Sequence, residues 1–105
     1  MVRTSGEVDE RMDDYGFVWS QEKYRRVIRE HDVRFFEVVS VFDDQLCCEF
    51  PDPQEYADRW VLVGRSSTDR VLAVVYSEEE LPLYRIITAF EAEGPLLDEY
   101  HKEKG

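Results

Sequence analysis

Four side chains of this 105-residue sequence have the types and positions for chemistry on an anion: Lys23, His31, Arg65 and Arg85. His31 is the one internal histidine, since His101 lies near the C-terminus. Histidine is the residue type best poised to exchange protons near neutral pH. His31 also falls on the apolar stripe at the end of a predicted helix, where the plainer reading is a residue that packs and caps carbonyls. Lys23 belongs to the first turn of that helix, on the flank between its two faces, where it either reaches a phosphate or is solvated. Arg65 ends one predicted strand beside a turn and Arg85 opens another. From such positions two guanidinium groups can converge on an anion bound over a sheet. Arg85 is flanked by Tyr84 and Ile86, which take the opposite face, so it is either the charge of a functional face or an edge charge that discourages aggregation. Arg25, Arg26 and Arg29 form a basic patch on the exposed side of the helix, suited to phosphates or an acidic partner, or simply solvated. Trp19, Trp60, Tyr76 and Tyr84 offer surfaces for base stacking, although aromatics on half-buried strands are more often core residues.

The charge balance limits what such a site can be. With 13 basic and 24 acidic residues the formal net charge is −11, which argues against a cationic footprint over the whole surface. The cations concentrate instead: Lys23, Arg25, Arg26, Arg29 and Arg34 all lie within or just after one helix. Cys47 and Cys48 are the only cysteines, and neighbours on a strand point to opposite faces, so they make a poor disulfide. No zinc spacing or glycine-rich phosphate loop is present, and the acidic run Glu78 to Glu80 has no metal-ligand spacing. No cofactor is therefore expected. No apolar run approaches the eighteen or so residues of a membrane span, and the polar start does not read as a secretory signal. A cytoplasmic protein without a membrane partner is the expectation.

The elements that must position these residues follow from periodicity. Residues 1–15 are polar and acidic and read as a flexible tail ahead of a single α+β domain over 16–105. Phe17 to Trp19 is a short β-prone run. Ser20 then caps a helix from Gln21 to about His31, with Tyr24, Val27, Ile28 and His31 on one face. A second helix spans Arg34 to Phe42, where Phe35, Val38, Val39 and Phe42 repeat the spacing. Strands are predicted at Leu46 to Phe50, Arg59 to Gly64, Val71 to Tyr76 and Tyr84 to Ala89, with Gln54 to Asp58 a polar loop. The valine-rich third of these is expected at the centre of the sheet. In the fourth, Tyr84, Ile86 and Thr88 are expected on one face and Arg85, Ile87 and Ala89 on the other. A last helix follows the Gly94-Pro95 break, with Leu96, Leu97 and Tyr100 as a weak stripe. The predicted architecture is a two-helix hairpin packed on a four-stranded, or slightly larger, antiparallel sheet with a C-terminal helix.

The order of short motifs resembles the BrnT family of toxins over most of the chain from Phe17 to Ala89. The motifs are Phe17 to Trp19, Glu22-Lys23, His31, Phe35, Val41 to Asp43, Arg59 to Gly64 (RWVLVG), Val71 to Val75 (VLAVV) and Arg85 to Ala89 (RIITA). The resemblance implies a compact RelE/ParE-like fold and an endoribonuclease that halts translation. It also implies a cognate BrnA-like antitoxin that binds DNA and autoregulates the operon. A metal-independent ribonuclease must move the proton of a 2′-hydroxyl, stabilise charge at phosphorus and protonate a leaving oxygen. Lys23, His31, Arg65 and Arg85 are the matching supply, with Arg25, Arg26 and Arg29 for RNA binding. Five positions differ from the family pattern. Phe90, Glu91 and Glu93 stand where an arginine and a basic helix start are usual, Asp32 replaces a glycine, and Arg34 replaces a cap serine. These differences open a second reading, a degenerate, non-catalytic module that binds a protein or a repressor partner. A homodimer joined through a sheet edge or exposed aromatics is the third.

Overall fold

The computed structural model describes residues 16–51, 59–79 and 81–104. The predicted tail over 1–15 and the whole loop Gln54 to Asp58 lie outside the described residues. Strand β1 (Phe17–Trp19) passes through Ser20 into helix α1 (Gln21–His31), followed by α2 (Phe35–Val41). Strands β2 (Cys48–Pro51), β3 (Arg59–Arg65), β4 (Val71–Ser77) and β5 (Tyr84–Glu91) come next, and α3 (Gly94–Lys104) completes an α+β fold.

Helix α1 has the predicted bounds because both ends are chemically marked. The Ser20 side chain accepts the Lys23 N–H at 3.1 Å, and Asp32 closes the helix at φ 55°, in the left-handed region that usually calls for glycine. Tyr24 ties the helix to α2 by accepting the Phe35 N–H at 2.9 Å on its hydroxyl. Strand β2 starts later than predicted. The Asp44 side chain accepts the Leu46 N–H at 2.9 Å and the Asp44 carbonyl accepts the Cys47 N–H at 3.1 Å, so a turn runs on to Cys47. Pro51 is tolerated because β2 is an edge strand.

The sheet has five strands in the order β1-β5-β4-β3-β2, with the valine-rich β4 at its centre as expected. It is not wholly antiparallel. Phe17 to Trp19 pairs parallel with Tyr84 to Ile86 and forms a fifth strand at the edge. Three residues carry too little alternation to announce such a pairing. Between β4 and β5 the register slips: Tyr76 pairs with Ile86, but Val75 pairs with Thr88, leaving Ile87 as an extra residue. That bulge reverses the predicted faces beyond it. Ala89 joins Ile86 in the core beneath α1 and α2, while Phe90 packs on the opposite side.

Two apolar clusters lie on the two faces of the sheet. Trp19, Val27, Val38, Leu72 and Ile86 meet under α1 and α2. Val61, Val63 and Ala73 are covered on the other face by α3, through Leu96, Leu97 and the buried Tyr100. The C-terminal helix therefore docks, and the Tyr100 hydroxyl donates to Asp44 at 2.7 Å. Among the described residues no helix is long and apolar enough to cross a membrane.

Candidate active site

The topology brings Lys23 and Arg85 to one place. Strand β1 pairs Val18 with Arg85, and a single residue separates its end from α1, so the first turn of the helix must lie beside the start of β5. Lys23 is in that turn and is half-buried. Burial pushes its ammonium below the usual lysine range, and the positive charges of Arg59, Arg85 and Arg26 push it further, opposed by Glu22.

Arg59 was not among the sequence candidates, yet pairing places it with Arg85. It opposes Ser77 across β3 and β4, and Ser77 opposes Arg85 across β4 and β5. Directly opposed residues share a face, so the three form one row. Both β3 and β5 run antiparallel to β4, hence in the same direction, and their first residues fall at the same end of the sheet. A predicted meander would have carried that signal. The same rule separates Arg65 from the site. It closes β3 opposite Val71, six residues beyond Arg59 and roughly 20 Å along the strand. The expected convergence of Arg65 with Arg85 does not occur. Arg65 instead pairs with Asp69 at 3.0 Å, lies 5.8 Å from the centre of the Tyr100 ring, and donates its backbone N–H to Asp44 at 2.8 Å.

Beyond Ile86 strand β5 has no β1 partner, and α1 runs along it instead. Between them lies a cleft of about 230 Å³ lined by Lys23, Arg26, Val27, Glu30, His31, Ile87 and Thr88. Lys23 and His31 stand at its two ends. Eight residues of helix set them roughly 12 Å apart along the axis, so the two cannot serve one reacting atom without a long reach. The His31 side chain is 38% exposed, 4.0 Å from Glu30 and 5.9 Å, centroid to centroid, from Phe90. It is thus neither buried on the apolar stripe nor isolated. Of the predicted basic patch, Arg26 lines the cleft and pairs with Glu22 at 3.8 Å, while the exposed Arg25 and Arg29 are not among its walls.

A polar network that the sequence did not announce holds the His31 end. Glu37 is 3% exposed and accepts the Arg34 N–H at 2.9 Å, the Thr68 hydroxyl and the Arg70 guanidinium at 3.3 Å. Burial alone would raise its carboxyl, but the bonds from Thr68 and Arg34 and the charge of Arg70 together hold it below the usual range. Arg34 has no acceptor to return, so the predicted cap position makes only half a capping box. Arg70 also donates to the carbonyls of Asp32 and His31, at 2.8 and 3.4 Å, and pairs with Glu91 at 3.5 Å. It therefore closes the C-terminal end of α1.

A larger concavity of about 910 Å³ lies by α2, lined by Phe17, Phe35, Phe36, Val39, Phe42 and Tyr84 with Ser40, Asp43 and Ser67. Its described walls carry no cation, so it does not suit a phosphate. Among the described residues no group of three or more His, Cys, Asp or Glu is placed to hold a metal ion.

Comparison with known proteins bears on this geometry. A family model described as the ribonuclease toxin BrnT of a type II toxin-antitoxin system matches residues 19–94. A comparison with curated proteins found no significant match. Among solved structures, the fold is similar to the 1.1 Å crystal structure of the Brucella abortus ribonuclease toxin BrnT. The TM-score is 0.60 at 19% identity, over 74% of this chain and 96% of that one.

Proposed function

The chain belongs to the BrnT family of ribonuclease toxins of type II toxin-antitoxin systems, and on that premise we propose that it cleaves RNA without a metal ion at the Lys23 end of the α1–β5 cleft. The observation that carries this reading is the gathering of Lys23, Arg26, Arg59 and Arg85 in a chain whose net charge is −11.

In this mechanism the 2′-oxygen attacks the adjacent phosphorus and the bond to the 5′-oxygen breaks. One fragment ends in a 2′,3′-cyclic phosphate and the other in a 5′-hydroxyl. Lys23, whose proton affinity burial and neighbouring cations lower, relays the proton: its amine accepts it from the 2′-hydroxyl when unprotonated and returns it as an ammonium to the leaving oxygen. Arg85 binds the non-bridging oxygens as negative charge builds on them. His31, at the far end of the cleft, meets the strand away from the reacting bond, and Arg26 contributes to the RNA path. Arg25 and Arg29 add long-range attraction, and Arg65 supports the α3 side of the sheet through Tyr100 and Asp69.

The wider reading is a cytoplasmic toxin of RelE/ParE-like fold that halts translation and is neutralised by a small BrnA-like antitoxin. The decisive comparison is Lys23→Arg, which keeps the charge but does not release a proton near neutral pH. Cleavage of a single-stranded RNA in a chelator is expected in the wild type and is expected to fall by about a hundredfold or more in the variant. A fully active Lys23→Arg protein would remove Lys23 from proton transfer.

Phe90 against His31, and Glu91 paired with Arg70, favour a second reading. Where the family pattern has cations, this chain has a ring and a carboxylate already engaged in the fold. Under that reading the protein captures an antitoxin or a repressor partner, or pairs with a second copy, without cleaving RNA.

A further inference from the structure

We propose that Arg59 and Arg85 act as the two arms of a phosphate clamp for RNA, closing over Ser77 on a phosphodiester beside Lys23. The proposal rests on the ribonuclease reading and adds to it a substrate-binding residue, Arg59, on a strand remote from α1 in sequence. Adjacent strands lie about 4.8 Å apart, so the backbones of Arg59 and Arg85 are roughly 10 Å apart, with Ser77 between them. The intervening side chain is small, 2% exposed, and turned to its own loop, where its hydroxyl accepts the Glu79 N–H at 3.1 Å. At the centre of the row the side chain is a serine, shorter than the arginine on either side. Both arginines are half-buried, a setting in which a guanidinium on phosphate is worth more than in open water.

The rest of the face explains why the clamp lies at this end. Helix α3 covers Val61, Val63 and Ala73, nearer the opposite end of β3 and β4. The row at Arg59, Ser77 and Arg85 lies beyond that cluster, at the end where β1 hands over to α1. A strand gripped there can run on along β5, past Thr88 toward Phe90, with α1 as its wall. The charge of Arg59 is among those that lower the proton affinity of Lys23.

The test is equilibrium binding of a 2′-O-methyl oligoribonucleotide, which cannot be cleaved, across a salt series. For single strands each phosphate contact contributes about 0.7 to the slope of log affinity against log salt. Arg59→Gln and Arg85→Gln are each expected to reduce the slope by about 0.7 and the affinity at low salt by about tenfold. Arg59→Lys is expected to keep the slope but lose affinity, because an ammonium cannot make the bidentate contact. Lys102→Gln, on α3, is expected to change neither. Thermal unfolding of each variant confirms that it is folded; if Arg59→Gln does not fold, Arg59→Lys decides, and wild-type affinity in that variant overturns the clamp. An unchanged slope in folded Arg59→Gln, with the slope reduced in Arg85→Gln, overturns the clamp and leaves the ribonuclease reading standing. A wild-type protein with no salt-dependent affinity for the oligonucleotide overturns both.

Discussion

The imidazole of His31 and the ring of Phe90 lie 5.9 Å apart, centroid to centroid, inclined at 52°. The contact joins the last turn of α1 to the far end of β5. The bulge at Ile87 sets the face of Phe90, which without the extra residue would share the face of Ile86.

Replacing Phe90 by arginine puts a cation on the proposed RNA path, on the same side of the sheet as Thr88. Phe90→Arg is expected to raise low-salt RNA affinity by about tenfold, the effect of one added phosphate contact. The change removes a partly buried ring from the cluster around Val61 and Ala73, so a stability loss of about 1–3 kcal/mol accompanies it. Salt-dependent binding and urea unfolding measure the two effects separately. His31→Gln is expected to keep cleavage within about tenfold of wild type, because the ring stands roughly 12 Å along the helix from Lys23.

Arg70 links four elements of the chemistry above: the buried Glu37, the carbonyls of His31 and Asp32, and Glu91. Arg70→Met leaves the Glu37 carboxylate buried without its cation. A loss of about 3 kcal/mol is expected, the scale for breaking a buried pair from one side. Denaturant unfolding checks it, and a loss below about 1 kcal/mol would mean that Thr68 and the Arg34 N–H satisfy Glu37 without help.

Acid should weaken the fold through Asp44. Burial raises its carboxyl, but the bonds from the Arg65 N–H, the Tyr100 hydroxyl and the Leu46 N–H together hold it below the usual aspartate range. A group depressed in the folded state contributes stability above its unfolded pKa, and that contribution disappears as pH falls through the folded value. Stability is therefore expected to drop below about pH 4, with Glu37 acting in the same direction. In Asp44→Asn the drop is expected to be shallower and the neutral-pH stability lower. An identical pH dependence in the variant would show that Asp44 contributes nothing to it.

Much of this was legible in the sequence where one local signal decided the outcome. Ser20 and the Tyr24, Val27, Ile28 stripe marked α1, and the valine run marked the central strand. What stayed hidden depended on partners distant in the chain. The parallel pairing of Phe17 to Trp19 needs β5, and the Ile87 bulge is invisible because the extra residue is as apolar as its neighbours. Glu37 reads as a polar residue of a helix until Thr68 and Arg70 arrive from the turn before β4. Lys23, Arg85 and His31 stood out in the sequence because their residue types suit chemistry on an anion. Arg59 was missed, and Arg65 misplaced beside Arg85, because strand direction and not residue type decides which arginines meet.

In the proposed mechanism the action of Arg85 is to stabilise charge on a phosphate that Lys23 helps to cleave. Its most direct test is the single-turnover rate of RNA cleavage, in a chelator and at low salt, for the wild type and Arg85→Ala. The wild type is expected to cleave, to slow as salt rises, and to lose at least about a hundredfold in Arg85→Ala while the variant remains folded. No cleavage by the wild type at any salt, or full activity in folded Arg85→Ala, would rule out this role for Arg85.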